Sequence, residues 1–361
     1  MLATRHIVGL SLLAAVSGGS ATSRAVADVE DVSAKETIRI IFAVAEGTKL
    51  RKTFTRELEL TTRESDGSLG LGTWNDSQRI VLIDEYGSLV ERIPETITRS
   101  FECIEVEHSH GWETTRFLGE DLSRMIERKG TGELSGSRVT FKRDYAEPEI
   151  PFGMPVASYV AEFADDSALP DETVAALAGL RANTDSTGLL PWREVAIGSI
   201  WFVDVDAFHE VCWPSGALRF VDSDDEPLVT PVDERLGQNL DGTFRIELRA
   251  IEKIAGVRYA RMSIRGILES QATFPYEWSI GFARGGSLSF EGSITLGLYA
   301  SLQGRFWWNL DEGHLDSIHI EGDVTVHQKF GETQVGRWTL PGLAAHVWTG
   351  KLSADAEFER L

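Results

Sequence analysis

The sequence predicts a mainly β protein: a long antiparallel meander, or a curved sheet, in two halves with one short connecting helix. The chief observation is a period of two, in which apolar residues alternate with polar ones along Leu50–Leu60, Phe244–Ala250, Ala260–Arg265 and Ile318–His327. Such alternation is typical of antiparallel strands with one buried and one solvated face.

Turn residues separate the alternating runs. Asp66-Gly67, Ala255-Gly256 and Asp311–Gly313 stand between them, where hairpin loops are expected. Several runs reach eight residues or more, which favours a wide, curved meander over a compact sandwich of short strands.

Helical periodicity is scarce. The best candidate helix is Asp171–Asn183, which begins after Pro170 and places Val174, Leu177 and Leu180 at helical spacing. A second stretch, Gly119–Lys129, fits a helix or a strand and turn.

Dense loop chemistry around the first candidate helix indicates a boundary. We therefore expect a β-rich half at 36–163, a helical connector at 164–189 and a second β-rich half at 190–361. Whether the halves form two domains or one continuous sheet is left open by the sequence.

The first 27 residues have the pattern of a signal peptide. Arg5 supplies a positive charge, Ile7–Val16 is an apolar run too short to span a bilayer, and Ala25–Ala27 fits a cleavage site. The alternative is an uncut N-terminal anchor. We expect export to the periplasm or the medium, with a mature chain that starts at Asp28, a flexible lead-in at 28–35 and no later transmembrane segment.

The chain is strongly acidic, with a net charge of −21 from 35 basic and 56 acidic residues. The 27 N-terminal residues contain two arginines and no acid, so 33 basic residues remain after cleavage and the net charge becomes −23. This charge disfavours nucleic acid and anionic membrane surfaces as partners.

Two cysteines, Cys103 and Cys212, are present. An oxidising compartment permits a disulfide between them, which would connect the two halves. The alternative is two separate buried thiols, and spacing alone does not decide between them.

Apolar and glycine landmarks are spread over most of the mature chain: Ile38–Phe42, Glu46–Leu50, Leu190-Pro191 with Val195, Gly198 and Trp201, Asp241–Gly266, and Trp308–Glu321. With these landmarks the chain resembles exported bacterial β-rich proteins of unknown function, which are similar to envelope proteins with an open, lipoprotein-carrier-like sheet. The resemblance implies a fold and assigns no catalytic residue.

Candidate metal ligands are few. His108 and His110 lie two residues apart, which places both imidazoles on one face of a strand. An exposed polar turn before Gly111 is the alternative. We expect no metal and no cofactor, and we find no serine-hydrolase elbow and no phosphate-binding loop.

Tryptophan is abundant, with ten residues in the chain. Trp307 and Trp308 are adjacent and must therefore point to opposite faces of a strand, with Trp308 on the apolar face. Trp201, Trp213 and Trp307 are the candidates to line a ligand cavity; the alternative is that they pack in a wide β core.

These features together predict a non-catalytic exported protein that binds an apolar small molecule or a protein partner in the cell envelope. The alternatives are a structural or interaction module without a small ligand, and a hydrolase whose site forms only in space.

Overall fold

The computed structural model describes residues 37–63, 71–117, 120–145, 158–164, 177, 179–216, 218–223, 228, 239–281, 287–335, 338–340 and 346–361. The predicted signal peptide, the lead-in, the Asp66-Gly67 turn and most of the predicted connecting helix lie outside these residues.

The chain forms seventeen described strands, ten of them before residue 223. These are β1 Lys49–Arg63, β2 Leu71–Tyr86, β3 Leu89–Val90, β4 Ile93–Pro94, β5 Thr96–Phe117, β6 Glu120–Gly132, β7 Arg138–Asp144, β8 Ser158–Phe163, β9 Ile200–Asp204 and β10 Phe220–Asp222. The others are β11 Leu240–Ile254, β12 Val257–Gly281, β13 Ser287–Asn309, β14 His314–Phe330, β15 Thr333–Val335, β16 Trp338–Leu340 and β17 His346–Arg360.

Fifteen of these strands belong to one antiparallel sheet. Its main path runs β10-β6-β5-β2-β1-β17-β14-β13-β12-β11-β9, with β7, β8, β15 and β16 on side branches, while β3 and β4 pair separately. The pairing of β1 with β17 joins strands of both predicted halves, so they share a continuous sheet. The mainly β, long-stranded fold predicted from the sequence is confirmed.

Alternation along the strands separates a buried inner face from a solvated outer face. Phe244, Ile246 and Leu248 on β11 are fully buried, and Ile320 and Val326 on β14 are buried to 1 % and 0 % exposure. The outer residues between them are partly or fully exposed. The sheet therefore buries one face, as the period of two predicts.

Helix is described at a place that the sequence did not indicate. Helix α1, Val205–Cys212, follows β9 directly; Asp204 caps it, its side chain accepting a hydrogen bond from the Asp206 amide. Pro214 lies just beyond the C-terminal end and cannot continue the helix. In eight residues the helical period is too brief to stand out from the flanking alternation.

The structure describes one of the two candidate helices as a strand, and the other only in part. Gly119–Lys129 falls largely in strand β6, which was the alternative interpretation. In the other candidate, Leu177 is helical and Gly179–Asn183 is turn, bend and irregular backbone, while residues 171–176 and 178 lie outside the described residues. Among the described residues, no helix has the length and apolar character needed to cross a membrane.

The adjacent tryptophans of β13 lie on opposite faces, as predicted. Trp308 is fully buried and donates from Nε1 to the Ile41 carbonyl over 3.2 Å. Trp307 is half-buried on the outer face, with the Arg305 guanidinium 5.3 Å from its ring centroid. The pairing with β14 shifts by one residue at this point, so both Trp308 and its partner Leu315 face the core.

Replacing each of the two tryptophans by alanine should distinguish the buried face of β13 from its solvated face. We expect Trp308→Ala to lower the free energy of unfolding by about 3–5 kcal/mol, because it removes a buried aromatic. Trp307→Ala should cost no more than about 1 kcal/mol, because its ring is half-exposed. Urea unfolding of both variants measures this, and equal losses would show that β13 is covered on both faces.

Candidate functional site

A buried ionic cluster fixes the segment that covers the inner face. Lys52 of β1 donates from Nζ to Asp84 of β2 and to Asp185, each over 2.7 Å, and to Thr184 Oγ1 over 2.8 Å. Lys52, Asp84 and Arg99 are fully buried, and Asp185 is 4 % exposed. Two cations thus face two carboxylates, and the cluster is neutral as a whole.

Arg99 of β5 makes the largest number of contacts in the cluster. Its guanidinium binds both oxygens of Asp84, over 2.7 and 2.9 Å. It also donates to the carbonyls of Arg181 and Ala182 and to the hydroxyl of Ser215. Every guanidinium nitrogen therefore has an acceptor, which a buried cation requires.

The protonation of the cluster follows from burial and charge. Burial alone would raise the pKa of Asp84, but the charges of Arg99 and Lys52 and their hydrogen bonds outweigh it and hold the pKa well below its usual value. Burial, together with the charges of Asp185 and Asp84, raises the pKa of Tyr86, whose hydroxyl donates to Asp185. Asp84 therefore stays ionised while Tyr86 stays neutral.

Sequence reasoning missed this cluster, although a signal was present. Lys52, Asp84 and Arg99 each occupy the apolar parity of a strand, between residues such as Leu50 and Phe54 on β1. A charge at a core position of an alternating strand has to be paired.

Strand β9 is an edge of the sheet with exposed apolar side chains. Within the described part of the chain it pairs with β11 alone. Ile200 is 40 % and Phe202 67 % exposed on its outer face, whereas Trp201 points inward and is buried. An uncovered edge strand offers backbone donors and acceptors to an added strand.

Next to this edge the outer face is rich in arginine. Arg245 lies directly opposite Arg265 on the neighbouring strand, a repulsive arrangement. Glu247 accepts from both Arg245 and Arg249, over 2.7 and 2.6 Å, so one carboxylate serves two cations. No carboxylate of the described residues lies within ion-pair distance of Arg265. We define the arginine patch by its members: Arg245, Arg249, Arg261, Arg265 and Arg305.

A groove of about 1150 Å³ begins at this edge and crosses the outer face. Phe202, Arg245 and Arg265 line its start, Ile267 its middle, and Lys351 its far side. Lys351 pairs with Asp323 over 2.5 Å. The groove thus combines an apolar edge with charges of both signs, three cations (Arg245, Arg265 and Lys351) and four carboxylates (Asp241, Glu269, Glu321 and Asp323).

Glycines on inner positions of β14 and β17 allow neighbouring strands to approach closely near the groove. A Cβ at Gly322 would lie 2.0 Å from the Ser301 carbonyl oxygen, and one at Gly350 would lie 1.7 Å from that of Glu59. Because a side chain cannot fit at these distances, the close approach of the strands requires glycine there.

The three tryptophans predicted to line a cavity are separated. Trp201 is buried on the inner face and donates to the Leu189 carbonyl over 2.9 Å. Trp213 follows α1, with the Arg56 guanidinium 5.0 Å from its ring centroid. Trp307 lies on the outer face. Neither the large groove nor a second, of about 560 Å³, has a tryptophan among its described lining residues.

Cys103 and Cys212 are two separate thiols in the structure, as in the alternative to a disulfide. Cys103 is partly exposed on β5, where it contacts Arg79 over 3.5 Å, and Cys212 is buried at the end of α1. Burial and the neighbouring Glu105 raise the pKa of the Cys103 thiol, which disfavours a reactive thiolate.

His108 and His110 lie side by side on the inner face of β5, as the spacing predicts. His108 Nε2 is 3.2 Å from His110 Nδ1, and His108 Nδ1 is 2.7 Å from Asp76 of β2. His108 is 9 % exposed, and His110 is exposed.

A carboxyl group with unusual protonation, that of Glu210, belongs to α1 and is buried. Asn183 donates to Glu210 Oε1 over 2.7 Å, while Oε2 is enclosed and has no hydrogen-bond partner. Burial, reinforced by the charge of Asp185, raises the pKa of Glu210 to about 8. At neutral pH this side chain is mostly a neutral acid.

Comparison with known proteins adds no relative: no protein-family model matches the chain, and no curated protein matches it.

Breaking the ionic cluster should be costly. We expect Lys52→Met to lower the free energy of unfolding by about 3–5 kcal/mol, because Asp84 and Asp185 lose a buried counter-ion. The control is Lys49→Met on the same strand, whose 3.1 Å pair with Glu85 is solvent-exposed and worth at most about 1 kcal/mol. Urea unfolding at pH 7 compares them, and losses of the same size would contradict the assigned role.

Glu210→Gln should stabilise the protein increasingly as pH rises. A pKa raised in the folded state means that the folded chain retains a proton which the unfolded chain releases above its ordinary pKa of about 4.3. The wild type therefore loses stability between about pH 4.3 and pH 8, whereas glutamine does not titrate. Melting temperatures at pH 5.5 and 8.5 measure the change.

The control for this titration is Glu359→Gln, which alters an exposed carboxyl on β17. Its difference from wild type should stay nearly constant between the two pH values. If Glu210→Gln behaved in the same way, the carboxyl would not be protonated in the folded protein.

Proposed function

We propose that this is a non-catalytic exported protein of the cell envelope that binds an acidic, extended segment of a partner protein at β9 and the adjoining groove. The single observation that supports this most strongly is the position of the arginine patch beside an exposed, apolar sheet edge. The patch holds five arginines against two paired carboxylates, Glu247 and Glu252, in a chain with an excess of 21 negative charges, so cations are concentrated there.

Each part of the site suits a peptide strand. The outward edge of β9 offers main-chain hydrogen bonds, and Ile200 and Phe202 offer apolar contact on the groove side. Arg245 and Arg265 oppose each other, so a carboxylate placed between them would relieve their repulsion and accept paired guanidinium hydrogen bonds.

An apolar small molecule is the less favoured occupant. The groove walls alternate in charge, with Asp241 and Glu321 near Arg265, and their apolar members are few. Pockets for small apolar ligands are mostly lined by hydrophobic and aromatic side chains. Of the two ligands expected from the sequence, an apolar small molecule and a protein partner, we therefore propose the protein partner.

Site-directed photo-crosslinking tests the proposal. A benzophenone amino acid replaces Phe202 in the full chain, which is expressed in the cells that produce it. The matched control carries the same group at Tyr299, an outer-face aromatic that is 43 % exposed and lies outside the groove lining. We expect an adduct of protein mass from position 202 and not from position 299.

Charge reversal makes the test specific. Arg265→Glu in the chain that carries the probe at position 202 should reduce the adduct at least about tenfold, because like charges would then face each other. Equal adducts at both positions, an adduct unchanged by Arg265→Glu, or an adduct of lipid mass would overturn the proposal.

A further inference from the structure

The geometry points to a second site on the inner face: His108 and His110 form a two-nitrogen chelate for a divalent late transition metal, with Cu²⁺ bound most tightly. This site is independent of the groove, which lies on the outer face.

The distance between the two imidazoles fits a shared metal. His108 Nε2 and His110 Nδ1 are 3.2 Å apart. Two nitrogens that each lie about 2.1 Å from one ion, and subtend about 100° at it, are separated by about 3.2 Å. An ion could therefore replace the contact between the rings without moving either strand.

The tautomer of His108 is set by a carboxylate behind it. Asp76 Oδ1 lies 2.7 Å from His108 Nδ1 and accepts a hydrogen bond from the Nδ1–H group. His108 Nε2 therefore carries the lone pair, which is directed at His110. The second oxygen of Asp76 accepts from Trp74 Nε1 over 2.7 Å, so the carboxylate is itself held in place. A carboxylate behind a histidine ligand is the usual support of metal-binding imidazoles.

Access and local charge are compatible with a cation. His108 is nearly buried while His110 is exposed, so an ion can reach the pair from solvent. Arg128, directly opposite His108 on β6, is paired with Asp222, which offsets the positive charge of this guanidinium.

Among the described residues, His108 and His110 are the two protein ligands of the proposed site. The described residues contain no group of three or more His, Cys, Asp or Glu side chains suited to a metal. Water would therefore complete the coordination. Copper(II) accepts tetragonal nitrogen and oxygen donors and binds such sites more strongly than nickel or zinc.

Titration of the full chain with Cu²⁺ tests the site by calorimetry and by electron paramagnetic resonance. We expect one tight site whose spectrum shows two coupled nitrogens. His110→Ala, which alters an exposed ring, should lose the second nitrogen and weaken binding at least about tenfold. The matched control, His327→Ala, removes an exposed histidine of β14 and should leave binding unchanged.

A second variant, Asp76→Asn, tests the role of the carboxylate behind His108. It preserves both imidazoles and removes the charge behind His108, so copper affinity should fall about 10–100-fold while both nitrogens remain in the spectrum. Melting curves confirm that each variant is folded. The inference is overturned if wild type and His110→Ala share one affinity and one spectrum, or if Asp76→Asn binds as tightly as wild type.

Discussion

The neutral cluster of Lys52, Asp84, Arg99 and Asp185 is the constraint on which the arrangement of the molecule depends. Each of these charges lies out of contact with bulk water and would be strongly destabilising alone. Three come from neighbouring strands of the sheet, and Asp185 comes from the segment that crosses over them. Displacement of the covering segment would remove Asp185 and leave Lys52 and Arg99 with Asp84 alone, so the interior of the sheet would carry an uncompensated positive charge.

The segment that carries Asp185 leads directly into β9, which begins at Ile200. After β9 the chain passes through α1 and reaches β10 at Phe220, and β9 and β10 are the two ends of the main sheet path. Arg99 also binds this later stretch, since it donates to the Ser215 hydroxyl. Phe208 of α1 stacks on Phe244 of β11 with ring centroids 4.8 Å apart. The cluster, through this segment, thus fixes where edge strand β9 lies, and with it the mouth of the groove.

The features that the sequence predicts correctly are local ones, set by residues that are close together along the chain. Alternation identifies the strands and their buried faces, the Ala255-Gly256 turn is found where expected with both residues at positive φ, and the spacing of His108 and His110 places them together.

What the sequence cannot supply depends on the order and register of strands. Asp76 lies 32 residues from His108, and Asp185 lies 133 residues from Lys52. The arginines of β11 and β12 have the spacing of an ordinary solvated face, and only the edge position of β9 makes them a patch. Trp201 and Trp307 fall on opposite faces because Trp201 pairs with Ile246 and Trp307 with Arg261.

The pairing of β1 with β17 has a consequence for how the molecule folds. Leu50 lies opposite Arg360, and Thr62 opposite Trp348, so the middle of the sheet joins the two most distant parts of the described chain. Most other strand pairs are hairpins that can close early and locally, whereas this seam must pay the entropy of closing a very long loop. We infer that each set of hairpins forms first, and that the closing of this seam limits the rate of folding.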